Sequence, residues 1–183
     1  DLRNRNLSQA NLRGANLTGA DLTGANLAFS NFILAEMNRV DLKDADLSQA
    51  NLSGAYLDQA NLDQANLKGV DLRGANLKEA NLKRANLNQV NMRGVNLTEA
   101  DLTGVDLSGV DLNGANLKGA NLKGANLTRV NLTGAYLKNA DLNEANLNGA
   151  NLTEANIKNI RNLDSAIKCK TIFSWGEDNS GCE

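Results

Sequence analysis

The sequence predicts an all-β solenoid: a four-sided β-helix of roughly eight coils, closed at its C-terminal end by a cap. Three observations carry this. An apolar residue recurs at every fifth position from Leu2, Leu7 and Leu12 through Leu152 to Ile157, with Phe32, Met37 and Met92 the other departures from Leu. Two residues before each of these sits Ala or Val, from Ala10 to Ala155, with Ser30 the one interruption. Between the two apolar columns stands Asn or Asp, except at Glu36, Tyr56 and Tyr136.

A period of five matches neither a helix at about 3.6 nor a long strand at about 2. It matches a short strand followed by a turn. In Ala115-Asn116-Leu117-Lys118-Gly119 the first three residues alternate inward, outward, inward, as neighbouring side chains of an extended chain do. Lys118-Gly119 then turns the corner. Glycine at the second central position suits a type II turn, where φ is positive. Many repeats carry Gln, Glu, Arg or Asn there, so a mixture of turn types is expected. Successive coils hydrogen-bond along the axis at ~4.8 Å, and small Ala beside Leu fills a narrow tube without voids.

The number of sides follows from a weaker, longer period. Asp concentrates in the column Asp1, Asp21, Asp41, Asp101, Asp141, Gly in the column Gly14, Gly54, Gly74, Gly94, Gly114, Gly134, and the two tyrosines fall 80 residues apart. Each spacing is a multiple of 20 and points to square coils. The tube then runs about 38 Å.

The repeat spans residues 1–160, and residues 161–183 form a separate capping segment. Residues 161–167 suit one or two helical turns, Lys170–Trp175 a short strand, and 176–181 a turn-rich loop. An open β-helix end exposes strand edges and apolar cross-section, and Leu163, Ile167, Ile172, Phe173 and Trp175 are placed to cover it. Both cysteines, Cys169 and Cys182, lie here. Their spacing is not that of a redox C-x-x-C pair, and two Cys without His are too few for zinc. A disulfide is the simplest reading. It favours an oxidising compartment, periplasm or thylakoid lumen, with cytoplasm the alternative.

Composition excludes much. The 19 basic and 21 acidic residues leave a net charge of −2, and there is no His and no Pro. The balance gives no strong field for a nucleic-acid partner. The usual general base and commonest metal ligand are absent, and neither a Gly-x-Ser-x-Gly elbow nor a phosphate loop is present. No apolar run reaches the ~18 residues of a membrane span. The expectation is a non-enzyme with no cofactor, metal, membrane or small-molecule substrate. The chain opens inside the repeat without Met, as a removed leader or a trimmed chain would.

The motif in Ala15-Asn16-Leu17-Thr18-Gly19 resembles the pentapeptide-repeat family, in its Leu-centred variety, over residues 1–160. The resemblance implies a right-handed quadrilateral β-helix with the central Leu and the preceding small residue inward. Leu-centred, Asn-rich members are especially common in oxygenic photosynthetic bacteria. One branch binds DNA gyrase by imitating the shape and charge of DNA. That role needs acidic faces along the tube. Here the corner acids Asp44, Asp58, Asp63, Glu79, Glu99, Glu144 and Glu154 are outnumbered by corner Lys and Arg. A protein-interaction scaffold, binding an unidentified protein or itself, is therefore the first reading, and a DNA-mimicking modulator of a topoisomerase the alternative. Tails with Thr-Ile and Asn-Ser-Gly-Cys, as here, also resemble those of other members, so the tail need not mark a compartment.

The candidate partner-binding residues are Phe29, Ile33, Leu34, Tyr56 and Tyr136. The first three are apolar at outward or corner positions that elsewhere are nearly all polar or Gly, which marks an interface or a bulge folded back on the tube. The tyrosines replace Asn on one face. The Asn columns are expected to pair amide to amide between coils. The Asp column is expected to be charge-compensated by Arg3, Lys43, Lys83 and Lys123.

Overall fold

A computed structural model describes residues 1–182, so the last residue of the tail lies outside the described residues. The backbone winds with a register of 20. Parallel single-residue bridges join Asn6 to Asn26, Asn26 to Asp46, and so on around all four columns to Asp141 and Arg161. Twenty residues per coil and five per side give four sides.

Each bridge is flanked by two inter-coil bonds. Leu47 N–H donates to Asn66 O at 2.9 Å, and Asn66 N–H to Ala45 O at 2.9 Å. The alternation Ala in, Asn out, Leu in holds at each side, so the strand is one bridge long before the chain turns. From Leu22 to Leu152 the central column is essentially without solvent contact, as is the Ala/Val column beside it. The first coil differs: Leu2, Leu7, Leu12 and Leu17 are only partly buried, packed against the core on one side alone.

The corners use one turn throughout. The residue after the outward corner position has φ of 64° at Gly14, but also 60° at Phe29, 58° at Leu34 and 62° at Gln64. With a bond such as Ala35 N–H to Phe32 O at 2.9 Å, this is the type II turn whether or not Gly is present. The expected mixture is thus replaced by a uniform left-handed corner, because any other turn would break the 20-residue register. The outward Asn or Asp holds the corner. Its Oδ1 accepts the N–H two residues on, as from Thr18 to Asn16 at 3.0 Å and Ser48 to Asp46 at 3.0 Å, which is the Asx-turn geometry.

In two places a hydroxyl occupies the small inward column. Ser30 donates to Leu7 O at 2.9 Å, and Thr171 to Leu147 O at 2.8 Å. The second lies in the tail, where the winding continues. Asn146 bridges Ile167, and β1 (Asn151–Leu152) pairs in parallel with β2 (Thr171–Phe173), Asn151 opposite Ile172. The register there is 21. The extra residue is absorbed between Arg161 and Ala166, where Asn162 adopts φ 58° and Leu163–Ser165 form a single 3-10 turn. β3 (Gly176–Asp178) then folds back antiparallel onto β2. Lys168 takes a central-column place but is nearly buried, and its Nζ donates to Leu163 O at 2.9 Å and Ala166 O at 3.2 Å.

The inter-coil ladder is interrupted once, across two adjacent sides. The amides of Leu87, Gln89, Met92, Asp106 and Asp111 lack the inter-coil backbone bonds that their counterparts make, while Asp101 N–H to Ala80 O and Asn116 N–H to Val95 O, each 2.9 Å, close the ladder on either flank. A hollow of about 470 Å³ opens there, lined by Gln89, Val90, Arg93, Gly109 and Asp111. The seam lies in the middle of four stacked valines, Val70, Val90, Val110 and Val130. The two outer valine pairs keep their bonds, Asn91 N–H to Val70 O and Asn131 N–H to Val110 O, each at 3.0 Å. The Leu87 and Asp111 amides are expected to exchange with solvent deuterium at least tenfold faster than those of Leu47 and Leu127. Equal protection would contradict the seam.

Candidate interaction surfaces

Phe29 and Leu34 stand at adjacent corners of one coil, 63% and 50% exposed, with Ile33 half-buried between them. They are not folded back beneath the tube. The inward neighbours Ser30 and Phe32 are buried, as is Ala28 at the corner before Phe29. Leu34 leans onto the next coil: its Cδ2 would be 2.9 Å from a Cβ at Gly54, so a side chain there would displace it.

Tyr56 and Tyr136 are 48% and 56% exposed. Both lie in the column running Asn16, Glu36, Tyr56, Asn76, Asn96, Asn116, Tyr136, Asn156, bridged throughout at intervals of one coil. Tyr136, with Lys118, Lys138 and Asn116, borders a shallow hollow of about 290 Å³.

The polar columns do two jobs where the sequence suggested one. Amide ladders form between coils, as Asn96 Nδ2 to Asn76 Oδ1 at 2.7 Å and Asn66 Nδ2 to Asp46 Oδ1 at 2.9 Å. The same Oδ1 atoms brace the turns. The signal for this second role was present in the sequence: Asn and Asp are the residues that accept from their own backbone two positions on.

In the Asp column, Arg3 reaches Asp1 at 2.7 Å and Asp21 at 3.4 Å, Lys83 reaches Asp101 at 2.9 Å, and Arg161 reaches Asp141 at 3.8 Å. Lys43 and Lys123 make no ion pair among the described residues. The Asp21 carboxyl is held below its ordinary range first by the Thr23 hydroxyl and amide, and Asp141 first by the Asn162 amide. On another side, Arg73 bonds Asp71 through both nitrogens of its fork and lowers that carboxyl against the opposing effect of burial. These are compensated structural carboxylates. Among the described residues no group of three or more His, Cys, Asp or Glu could hold a metal, and no helix is long and apolar enough to cross a membrane.

Cys169 and Cys182 are joined in a disulfide. It ties the loop after β3 against the side that carries Asn148, whose Oδ1 accepts Cys169 N–H at 3.0 Å. Phe173 and Trp175 stack with ring centroids 4.6 Å apart. Phe173 is buried, whereas Ile167, Ile172 and Trp175 remain 44%, 42% and 68% exposed.

A family model described as pentapeptide repeats matches residues 1–39, 35–74, 75–114, 96–134 and 131–161. Among solved structures, the chain is 34% identical to HetL, a pentapeptide repeat protein involved in heterocyst differentiation regulation from the cyanobacterium Nostoc sp. strain PCC 7120, over 97% of this chain and 92% of that one, at a TM-score of 0.49. It is 18% identical to QnrB1, a plasmid-mediated fluoroquinolone resistance protein, over 97% of this chain and 89% of that one, at a TM-score of 0.56. It is 29% identical to Rfr23, a pentapeptide repeat protein from the cyanobacterium Cyanothece 51142, over 82% of this chain and 89% of that one, at a TM-score of 0.37. No curated protein matches.

Proposed function

Because this chain belongs to the pentapeptide-repeat family, whose members fold as right-handed quadrilateral β-helices, we propose that it is a non-enzymatic scaffold that presents side chains to a protein partner. The observation that carries this reading is the corner patch of Phe29, Ile33 and Leu34. A leucine with φ 58° strains the backbone where Gly would not. With half its surface exposed it returns little to folding. Apolar groups kept at such a position fit an interface. In the same reading residues 1–160 are the tube of about eight coils, residues 161–183 cap it, and the disulfide supports an oxidising compartment, periplasm or thylakoid lumen.

The alternative, a DNA-mimicking modulator of a topoisomerase such as gyrase, needs a continuous acidic stripe. The corner that carries Asp58, Glu79 and Glu99 continues as Lys118, Lys138 and Lys158, which weighs against it.

The triple change Phe29→Ser, Ile33→Thr, Leu34→Gly tests the patch. The variant is expected to keep the wild-type unfolding midpoint within a few degrees, since the Gly relieves strain. It is also expected to lose the protein partner that the wild-type chain captures from its native compartment. Partner capture equal to wild type would reject the patch as the contact surface.

A further inference from the structure

The side carrying the tyrosines is divided by charge along its length. In its first half the outward and corner positions hold Glu36, Asp58, Glu79 and Glu99 against Arg39 and Lys78. In its second half the outward column and the corner after it hold Lys118, Lys138 and Lys158, and the only acid on that side is Glu154 at the opposite corner. Lys78 is taken by Glu79 at 3.0 Å. Glu36, Asp58, Lys118, Lys138 and Lys158 have no ion-pair partner among the described residues. The three lysines are exposed and stacked one coil apart, about 5 Å along the axis, so they repel one another unless an anion faces them.

We propose that this side is a self-association surface, on which two copies of the chain pack side by side and antiparallel about a two-fold axis through the coil of Asn96. The symmetry follows from the spacing. Tyr56 and Tyr136 lie 40 residues, or two coils, on either side of Asn96. A two-fold across the tube at that level keeps each column opposite itself and reverses its direction. Tyr56 of one copy then meets Tyr136 of the second copy. The same operation sets Asp58 against Lys138 of the second copy and brings Glu36 level with Lys158. Lys118 of the second copy comes opposite Lys78, whose charge Glu79 offsets at 3.0 Å, and Glu99 meets Glu99 of the second copy on the axis. One operator thus pairs both exposed aromatics, sets Asp58 against Lys138 and brings Glu36 level with Lys158, in a closed isologous interface. The hollow of about 290 Å³ beside Tyr136 receives the ring of Tyr56.

This goes beyond the scaffold reading and does not rest on it, because the variants below leave Phe29, Ile33 and Leu34 in place. Sedimentation equilibrium of the full chain is the test, on wild type, Asp58→Lys, Lys138→Glu and the double variant. Lys138 is exposed and Asp58 half-buried, accepting from Asn76 Nδ2 at 3.3 Å, and circular dichroism checks that each variant keeps the fold. Each contact occurs twice in the dimer. Either single variant is therefore expected to raise the dimer dissociation constant by about 100-fold, and the double variant to return it to within about tenfold of wild type. Added salt is expected to weaken the wild-type dimer. A monomeric wild type at all concentrations, a Lys138→Glu chain as dimeric as wild type, or a double variant that stays dissociated would each overturn the proposal. A monomeric wild type that binds heparin through these lysines would reassign the side to a polyanion.

Discussion

Leu107→Ala is expected to destabilise the tube by about 2–5 kcal/mol, the range for truncating a buried leucine. Leu107 has no solvent contact, and its neighbours above and below, Leu87 and Leu127, are central residues of adjoining coils. Leu107 adjoins the parted seam on its Leu87 face and a continuous ladder on its Leu127 face, where its N–H donates to Asn126 O at 2.8 Å. Ala125→Leu is the converse test. Ala125 is equally buried, and added methylenes in a filled core cost about 1–3 kcal/mol. Urea unfolding with matched m-values measures both. A neutral Ala125→Leu would mean that the tube has spare volume, contrary to the packing described.

Replacing Cys169 and Cys182 with Ser is expected to release the end of the tail while leaving the tube folded. The bond spans a separation of 13 residues, and closing a loop of that size contributes about 3 kcal/mol in the chain-entropy model. Little else holds the loop after β3. Lys170 N–H donates to Asn179 Oδ1 at 3.1 Å, and Cys182 N–H to Asn179 O at 3.1 Å. In a solenoid each coil contacts only its neighbours, so the effect should stay local. Amides after Gly176 should lose protection by about 100-fold, and Trp175, already 68% exposed, should change its fluorescence, with Leu47 and Leu127 amides unmoved. Unchanged exchange in the tail would show that β2–β3 pairing alone secures it. Loss of protection at Leu47 would show that the end governs the whole tube.

Much of this was legible in the sequence because the repeat constrains each position alike. A five-residue apolar period with small residues two places earlier leaves one arrangement in which both columns face inward. Spacings in multiples of 20 select four sides. What the period could not give were features that depend on contacts between coils. The uniform left-handed corner at Phe29, Leu34 and Gln64 arises from register, which overrides the preference of each residue for a different turn. The seam between Val90 and Val110 is a contact between residues 20 apart. In the tail the frame is shifted by one residue, so Thr171 and Phe173 occupy inward columns that a strict five-residue count assigns elsewhere. A search allowing one insertion would find Ala166 and Thr171 in the small column and Phe173 in the central one. The exposed residues Phe29, Ile33, Leu34, Tyr56 and Tyr136 were visible as departures from the columns. Their grouping on corners and sides needed the coil.

Every statement about surfaces depends on which residues share a side, and dipolar broadening between paired spin labels measures this directly. Asn126 and Asn146 are bridged neighbours on adjacent coils, away from the tyrosine side. Labels at 126 and 146 should lie within roughly 5–10 Å and broaden strongly. Labels at 126 and 141, which stand on different sides of a square coil, should not. Strong broadening at 126 and 141 with none at 126 and 146 would mean a three-sided coil of 15 residues, and would contradict the four-sided tube and every surface built on it.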